Sequence, residues 1–219
     1  MSDTSQVHGS TKSQADAAME GEAPPEKLLH YHDIRERIED GDLFFFRGSF
    51  RSSTFFTWLT KSFYSHSAIV ARWDHRLMIL QAEMKVEAVP LSVAVHDYPG
   101  RADWYRLKRE LIPEIDSKTK RMLWEAICEI GLPFALGDLL KSVGRYLFHF
   151  RLKDAPSPKG MFCSEYVERS FRKAEMPLVE SSDIATFPQD LADCEFVEYM
   201  GTIIHHPEHP FDRCADDVE

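Results

Sequence analysis

Four side chains in this 219-residue chain have the types and spacing for acyl-transfer chemistry: Cys163, His66, Gln81 and Glu83. Cys163 stands in Gly160-Met161-Phe162-Cys163-Ser164-Glu165-Tyr166-Val167, where a glycine-containing loop passes into a helical pattern. His66 opens an apolar strand pattern, Ser65-His66-Ser67-Ala68-Ile69-Val70. A thiol attacks as its thiolate, and at an ordinary pKa near 8.5 only about 3% is ionised at pH 7. A helix N-terminus favours the anion by roughly 0.3–1 kcal/mol, which is less than one pKa unit. A working cysteine nucleophile therefore needs a neighbouring imidazole, and His66 is the candidate. The same residues admit a structural reading. Cys163, Val167, Ser170 and Ala174 share one helical face, and a histidine between two serines can simply satisfy a sheet edge.

The elements that must position these groups begin with a hairpin. Ser65 to Arg72 and Leu77 to Met84 read as strands, with Trp73 to Arg76 as the turn. Alternation puts His66, Ala68 and Val70 on one face, and Leu77, Ile79, Gln81 and Glu83 on one face of the partner. A turn centred on Asp74-His75 sets His66 opposite Glu83; a turn one residue-pair earlier sets it opposite Gln81. A slip by a single residue would turn the apolar set to the wrong side. Both allowed registers offer the imidazole a polar partner, and spacing does not choose between them.

Around this hairpin the pattern predicts a helix carrying Leu28, Leu29, Ile34 and Ile38, a buried strand at Leu43 to Phe46, and a short helix capped by Ser53-Thr54. Further strands are expected at Val86 to Val89 and Ala102 to Leu107, with a short helical stretch between them. A helix is expected from Asp116 or Ser117 to a stop at Gly131, and a second over about Ala135 to Phe150. The Cys163 helix, a helical turn at Pro188 to Ala192 and a closing strand from Glu195 to Ile204 follow. The whole reads as α+β: a mostly antiparallel sheet packed with helices. Residues 1–25 are polar and read as a disordered leader, residues 26–204 as one domain, and residues 205–219 as a polar acidic tail holding His205, His206 and His209.

Composition narrows the function. The net charge of −10 argues against a nucleic-acid partner. No window approaches the ~18 apolar residues of a transmembrane span. Met1 to Glu26 lacks the apolar core of a secretory signal, so the chain is expected to be made in the cytoplasm. Cys128, Cys163, Cys194 and Cys214 form no CxxC pair, which speaks against a zinc ribbon. Cys128 and Cys194 are expected to be buried structural thiols. No metal and no cofactor is expected.

An ordered set of short segments then carries a resemblance. Gly41-Asp42-Leu43-Phe44-Phe45-Phe46, Ser65-His66-Ser67-Ala68-Ile69-Val70, Leu80-Gln81-Ala82 with Val86 and Val89-Pro90-Leu91, Cys163-Ser164-Glu165-Tyr166-Val167 and Phe187-Pro188-Gln189-Asp190-Leu191 follow one another in a set order. Together they resemble the circularly permuted branch of the NlpC-type, papain-like cysteine hydrolases, which includes the YiiX-like proteins and lecithin:retinol acyltransferase. His before Cys is the order of that permuted branch. The resemblance implies a papain-like fold, Cys163 as nucleophile, His66 as general base and Gln81 as the residue behind the base. Relatives carry Glu or His where this chain has Gln81, so Glu83 is kept as a second candidate for orienting His66.

It further implies a hydrolase working through a thioester, with two substrate classes: a peptidoglycan fragment cut at its stem peptide, favoured here, or a lipid acyl substrate. A wall hydrolase with a polar leader raises the expectation of an antibacterial effector delivered by type VI secretion to a target periplasm, with an immunity protein or a part of the secretion apparatus as partner. The opposite expectation is a non-catalytic binding module on the same fold.

Overall fold

The computed structural model describes residues 26–48, 63–133, 163–179 and 186–204. The helices expected at Ser53-Thr54 and over 135–150, the leader, the tail histidines and Cys214 lie outside these residues. The run Leu43-Phe44-Phe45-Phe46 explains the architecture, because four consecutive apolar side chains can all be buried only in a strand covered on both faces. They form β2 (Leu43–Arg47), and all four are at most 2% exposed. Leu43 and Phe45 point to one layer, and Phe44 and Phe46 to the other.

Among the described residues the sheet has seven strands in the order β1-β7-β6-β2-β3-β4-β5. These are β1 (Leu28–His30), β2, β3 (His66–Trp73), β4 (Arg76–Ala82), β5 (Val86–Pro90), β6 (Arg101–Leu107) and β7 (Val197–Ile204). All pairings are antiparallel except β1 on β7. The first layer is built from α3 (Ile115–Cys128) and α4 (Cys163–Lys173), which pack Met122, Ala126, Tyr166, Val167 and Phe171 onto Phe45, Ile69, Leu80 and Tyr105. The second layer sets α1 (Tyr31–Ile34) and α2 (Leu91–Asp97) over Phe44, Val70, Ile79 and Trp104. A short α5 (Pro188–Ala192) precedes β7. The α+β arrangement, mostly antiparallel sheet with helices packed on it, is as expected.

One element departs from expectation. Leu28, Leu29, Ile34 and Ile38 do not share one helix. Leu28–His30 pairs in parallel with Thr202, Ile203 and Ile204, and only a single helical turn and a 3-10 turn follow. The edge of β7 offers ladder hydrogen bonds to this segment, and that pairing overrides a helical pattern with few apolar positions.

The Gly41-Asp42 pair anchors the start of β2. Gly41 has φ +86°, and a Cβ there would lie 2.9 Å from Thr119 Cγ2, so both backbone and space require glycine. Asp42 is buried and accepts from the Glu39 amide (2.9 Å), Trp104 Nε1 (2.7 Å) and two nitrogens of Arg106 (3.2 and 3.0 Å). Burial raises its carboxyl pKa, while Arg106 and these donors pull it back towards ionisation. At the other end of the strand a second polar group is closed in. Asp103 is fully buried, lies 2.8 Å from Arg47 Nε, and accepts from Tyr64 OH (2.9 Å) and Thr202 Oγ1 (2.6 Å).

Candidate active site

The sheet opens where β3 begins and β4 ends. The β3–β4 pairing runs from Trp73↔Arg76 only as far as Ile69↔Leu80, although both strands continue beyond it. The N-terminus of α4 meets β3 here: the Ser67 backbone hydrogen-bonds to the Cys163 sulfur. Ser67 is fully buried; its side chain also acts on the thiol, and among the described residues its hydroxyl makes no other well-aligned hydrogen bond. Cys163 is the first residue of α4, so its sulfur also lies at the positive end of that helix.

His66 is the first residue of β3. Its ring packs on Phe46 at 5.5 Å between centroids, and it interacts with the Cys163 sulfur both by charge and by side-chain hydrogen bonding. Both residues are partly exposed, so the pair is reachable from solvent. Burial is the largest single influence on each group and disfavours its charged form. The mutual attraction of the two, with Gln81 and Glu83 on the imidazole and Ser67 on the thiol, outweighs it. The net result holds Cys163 below the usual thiol range and His66 above the usual imidazole range. This is the direction of a thiolate–imidazolium pair.

The register of the hairpin is the one with Asp74-His75 at the turn, which directs His66 towards Glu83. The hydrogen bond nevertheless goes to Gln81: His66 Nε2 and Gln81 Oε1 are 3.0 Å apart. Gln81 is the diagonal neighbour, and a long side chain spans that distance. Glu83 contributes by charge alone, raising the imidazole pKa from further away. The two candidates thus have different parts, one in contact and one in the field.

Three neighbours were not singled out from the sequence. Ser67 holds the sulfur as described. Glu87, directly opposite Gln81 on β5, accepts from Gln81 Nε2 at 3.5 Å; a β4–β5 hairpin register would have revealed it. Tyr98 OH is 2.8 Å from Ser65 Oγ, and its ring packs on Phe46 at 4.9 Å. Burial and the Cys163 and Glu83 charges keep its phenol protonated, against the Ser65 hydrogen bond. No sequence signal marks it, because it follows α2 in a turn.

The other thiols differ from expectation. Cys128 is exposed and Cys194 only partly buried. Cys128 ends α3, past the residues that face the core, and Cys194 Sγ accepts from the Phe196 amide at 3.4 Å. A shallow depression of about 470 Å³ lined by Arg47, Gly48, Phe63, Pro99, Gly100 and Arg101 includes neither Cys163 nor His66. Among the described residues no helix is long and apolar enough to cross a membrane.

No family model matches the chain, and no curated protein sequence does. A solved structure does: the metalloprotein YiiX from Escherichia coli O157:H7, at 16% sequence identity and a TM-score of 0.56, covering 74% of this chain and 96% of that one. Among the residues described here, no three His, Cys, Asp or Glu side chains come together to hold a metal ion. Cys163 and His66 supply two ligands and their next neighbour is an amide, so the donor set does not fit one. At this level of identity the likeness is one of architecture: the chain has the fold of YiiX.

Proposed function

We propose that this protein is a cysteine hydrolase in which Cys163 is the nucleophile, His66 the general base and acid, and Gln81 the residue that orients the imidazole. The observation that carries the reading is the Cys163–His66 contact at a helix N-terminus, with the thiol pKa lowered and the imidazole pKa raised. These are the shifts an activated thiolate needs. The YiiX-type fold supports it, since a papain-like arrangement presents a helix-borne thiol to a strand-borne histidine.

In the reaction the Cys163 thiolate attacks the carbonyl carbon of the substrate. The oxyanion that forms is stabilised by the backbone N–H of Cys163. Imidazolium His66 then gives its proton to the leaving nitrogen or oxygen, and the acyl group stays on sulfur as a thioester. Neutral His66 next takes a proton from water, hydroxide attacks the thioester, and Cys163 leaves as thiolate. Gln81 accepts from His66 Nε2 throughout, so the ring keeps its orientation while its other nitrogen exchanges the proton.

The favoured substrate is an amide bond in the stem peptide of peptidoglycan. The test is incubation of wild type and Cys163→Ala with purified peptidoglycan fragments and, separately, with phospholipid or acyl-ester substrates, followed by mass spectrometry. Stem-peptide cleavage lost in the variant is the expected result. Lipid turnover, or an acyl group on Cys163 derived from lipid, would replace the substrate and keep the mechanism. No product in either arm, with Cys163 alkylated no faster than Cys128, would make the protein a binding module. The effector reading is checked by directing the protein to a bacterial periplasm, where wild type should arrest growth and Cys163→Ala should not.

A further inference from the structure

Across the open end of the sheet, three polar side chains stand in a row on adjacent strands: His66 on β3, Gln81 on β4 and Glu87 on β5. Two links join them, His66 Nε2 to Gln81 Oε1 at 3.0 Å and Gln81 Nε2 to Glu87 Oε1 at 3.5 Å. The polarity of this row is not free. A primary amide can present either its oxygen or its nitrogen to a neighbour, whereas a carboxylate only accepts. With Glu87 at one end, the Gln81 NH2 must face the carboxylate and the Gln81 oxygen must face His66. An oxygen there demands a proton on His66 Nε2, and the lone pair or second proton of the ring then belongs to Nδ1, on the side of Cys163. Without Glu87, Gln81 could turn over and offer its NH2 to Nε2, which would have to accept. That arrangement excludes the imidazolium.

We infer that Glu87 is a positioning residue: its carboxylate fixes the amide orientation of Gln81 and through it keeps the proton on His66 Nε2 that the thiolate–imidazolium pair requires. It supplies from two strands away the polarity that Gln81, being uncharged, does not impose alone. Among the described residues the charged and titratable groups around the row are few. Lys85 Nζ lies 4.0 Å from Glu87, Glu83 acts on His66 from β4, Cys163 faces His66 from α4, and the Tyr98 phenol approaches after α2. From β2 the ring meets only Phe46. Glu87 sits on the edge strand β5 with its side chain 30% exposed, so substitution there need not disturb the core.

The experiment, which rests on the proposal that Cys163 and His66 are nucleophile and base, combines iodoacetamide labelling from pH 5 to 8 with nitrogen-15 NMR of the His66 ring. Wild type should show a proton on Nε2 and label Cys163 faster than Cys128 at pH 6. Glu87→Gln can turn either its oxygen or its NH2 to Gln81, so it should leave the polarity unset and fall between wild type and Glu87→Lys on both readouts. Glu87→Lys can only donate; it should turn Gln81 over, remove the Nε2 proton signal and slow labelling at pH 6 by about tenfold, the scale of one hydrogen bond to a charged group. Adding Gln81→Glu to Glu87→Lys supplies a carboxylate that accepts from both neighbours and should restore labelling. Wild-type labelling and an intact Nε2 proton in folded Glu87→Lys would overturn the inference, as would failure of Gln81→Glu to rescue it. If Cys163 in wild type labels no faster than Cys128, the hydrolase reading falls instead, while the NMR comparison still decides the role of Glu87.

Discussion

Two polar clusters near the ends of β2, one around Asp42 and one around Cys163, are built on opposite principles. At the start of the strand Asp42 is 2% exposed and accepts four hydrogen bonds, one of its donors being a guanidinium that also carries its counter-charge. At its far end Phe46 leads to His66 and Cys163, a partly exposed pair whose charges rely mainly on each other. The first cluster is fully satisfied and gains nothing from a further partner. The second is partly exposed, and the charged form of each member depends on the other. Saturated polar groups hold a fold together, and mutually dependent ones at the rim of a sheet are available for chemistry.

The comparison can be broken by exchanging the consequences of mutation. Cys163→Ala should reduce hydrolysis by at least about a thousandfold, the scale seen when a covalent nucleophile is removed, with the midpoint of thermal unfolding nearly unchanged. A large loss of stability would move Cys163 into the structural class. Asp42→Ala should show the reverse. It strands Arg106, the Trp104 indole N–H and the Glu39 amide without their acceptor, at a cost of about 3–5 kcal/mol, measurable by urea unfolding. Any Asp42→Ala protein that still folds should label at Cys163 as wild type does.

Smaller effects sharpen the contrast. Gln81→Ala removes one hydrogen bond to an ionised ring, worth about 1.5–3 kcal/mol, and should lower kcat by roughly ten- to a hundredfold with little change in KM. The pH profile follows from the directions of the shifts. Lowering the Cys163 pKa and raising the His66 pKa both widen the range in which thiolate and imidazolium coexist. Labelling of Cys163 should therefore extend to lower pH than that of an ordinary thiol and fall as pH drops through the lowered thiol pKa. Hydrolysis should also fall as pH rises through the raised imidazole pKa, where the leaving-group proton is lost. Glu83→Gln removes a charge that acts only at a distance, and should narrow this window from its alkaline side with the smallest change in maximal rate.

Much of the frame was legible because β2 is a continuous apolar run, and the β3–β4 hairpin, β6 and α3 carry periodic patterns, each bounded by turn residues. Cys163 at a helix start and His66 at a strand start were legible for the same reason. The Leu28 segment was not, because its strand exists only through a parallel partner more than 170 residues away. Nor was the exposure of Cys128, which depends on how α3 is turned against the sheet.

The sequence alone determined the chemical types available, their order along the chain and the face each strand residue takes, since side-chain alternation is local. It left the partner of His66 open between Gln81 and Glu83. Only the tertiary structure decided that, through the end of the β3–β4 ladder at Ile69↔Leu80, the contact of Cys163 with Ser67 and the diagonal reach of Gln81. It also added Glu87 to the row, on a strand whose register a turn sets. Spacing says which residues can face one way; where a sheet opens, and which side chain crosses to which, depends on packing between elements distant in the chain.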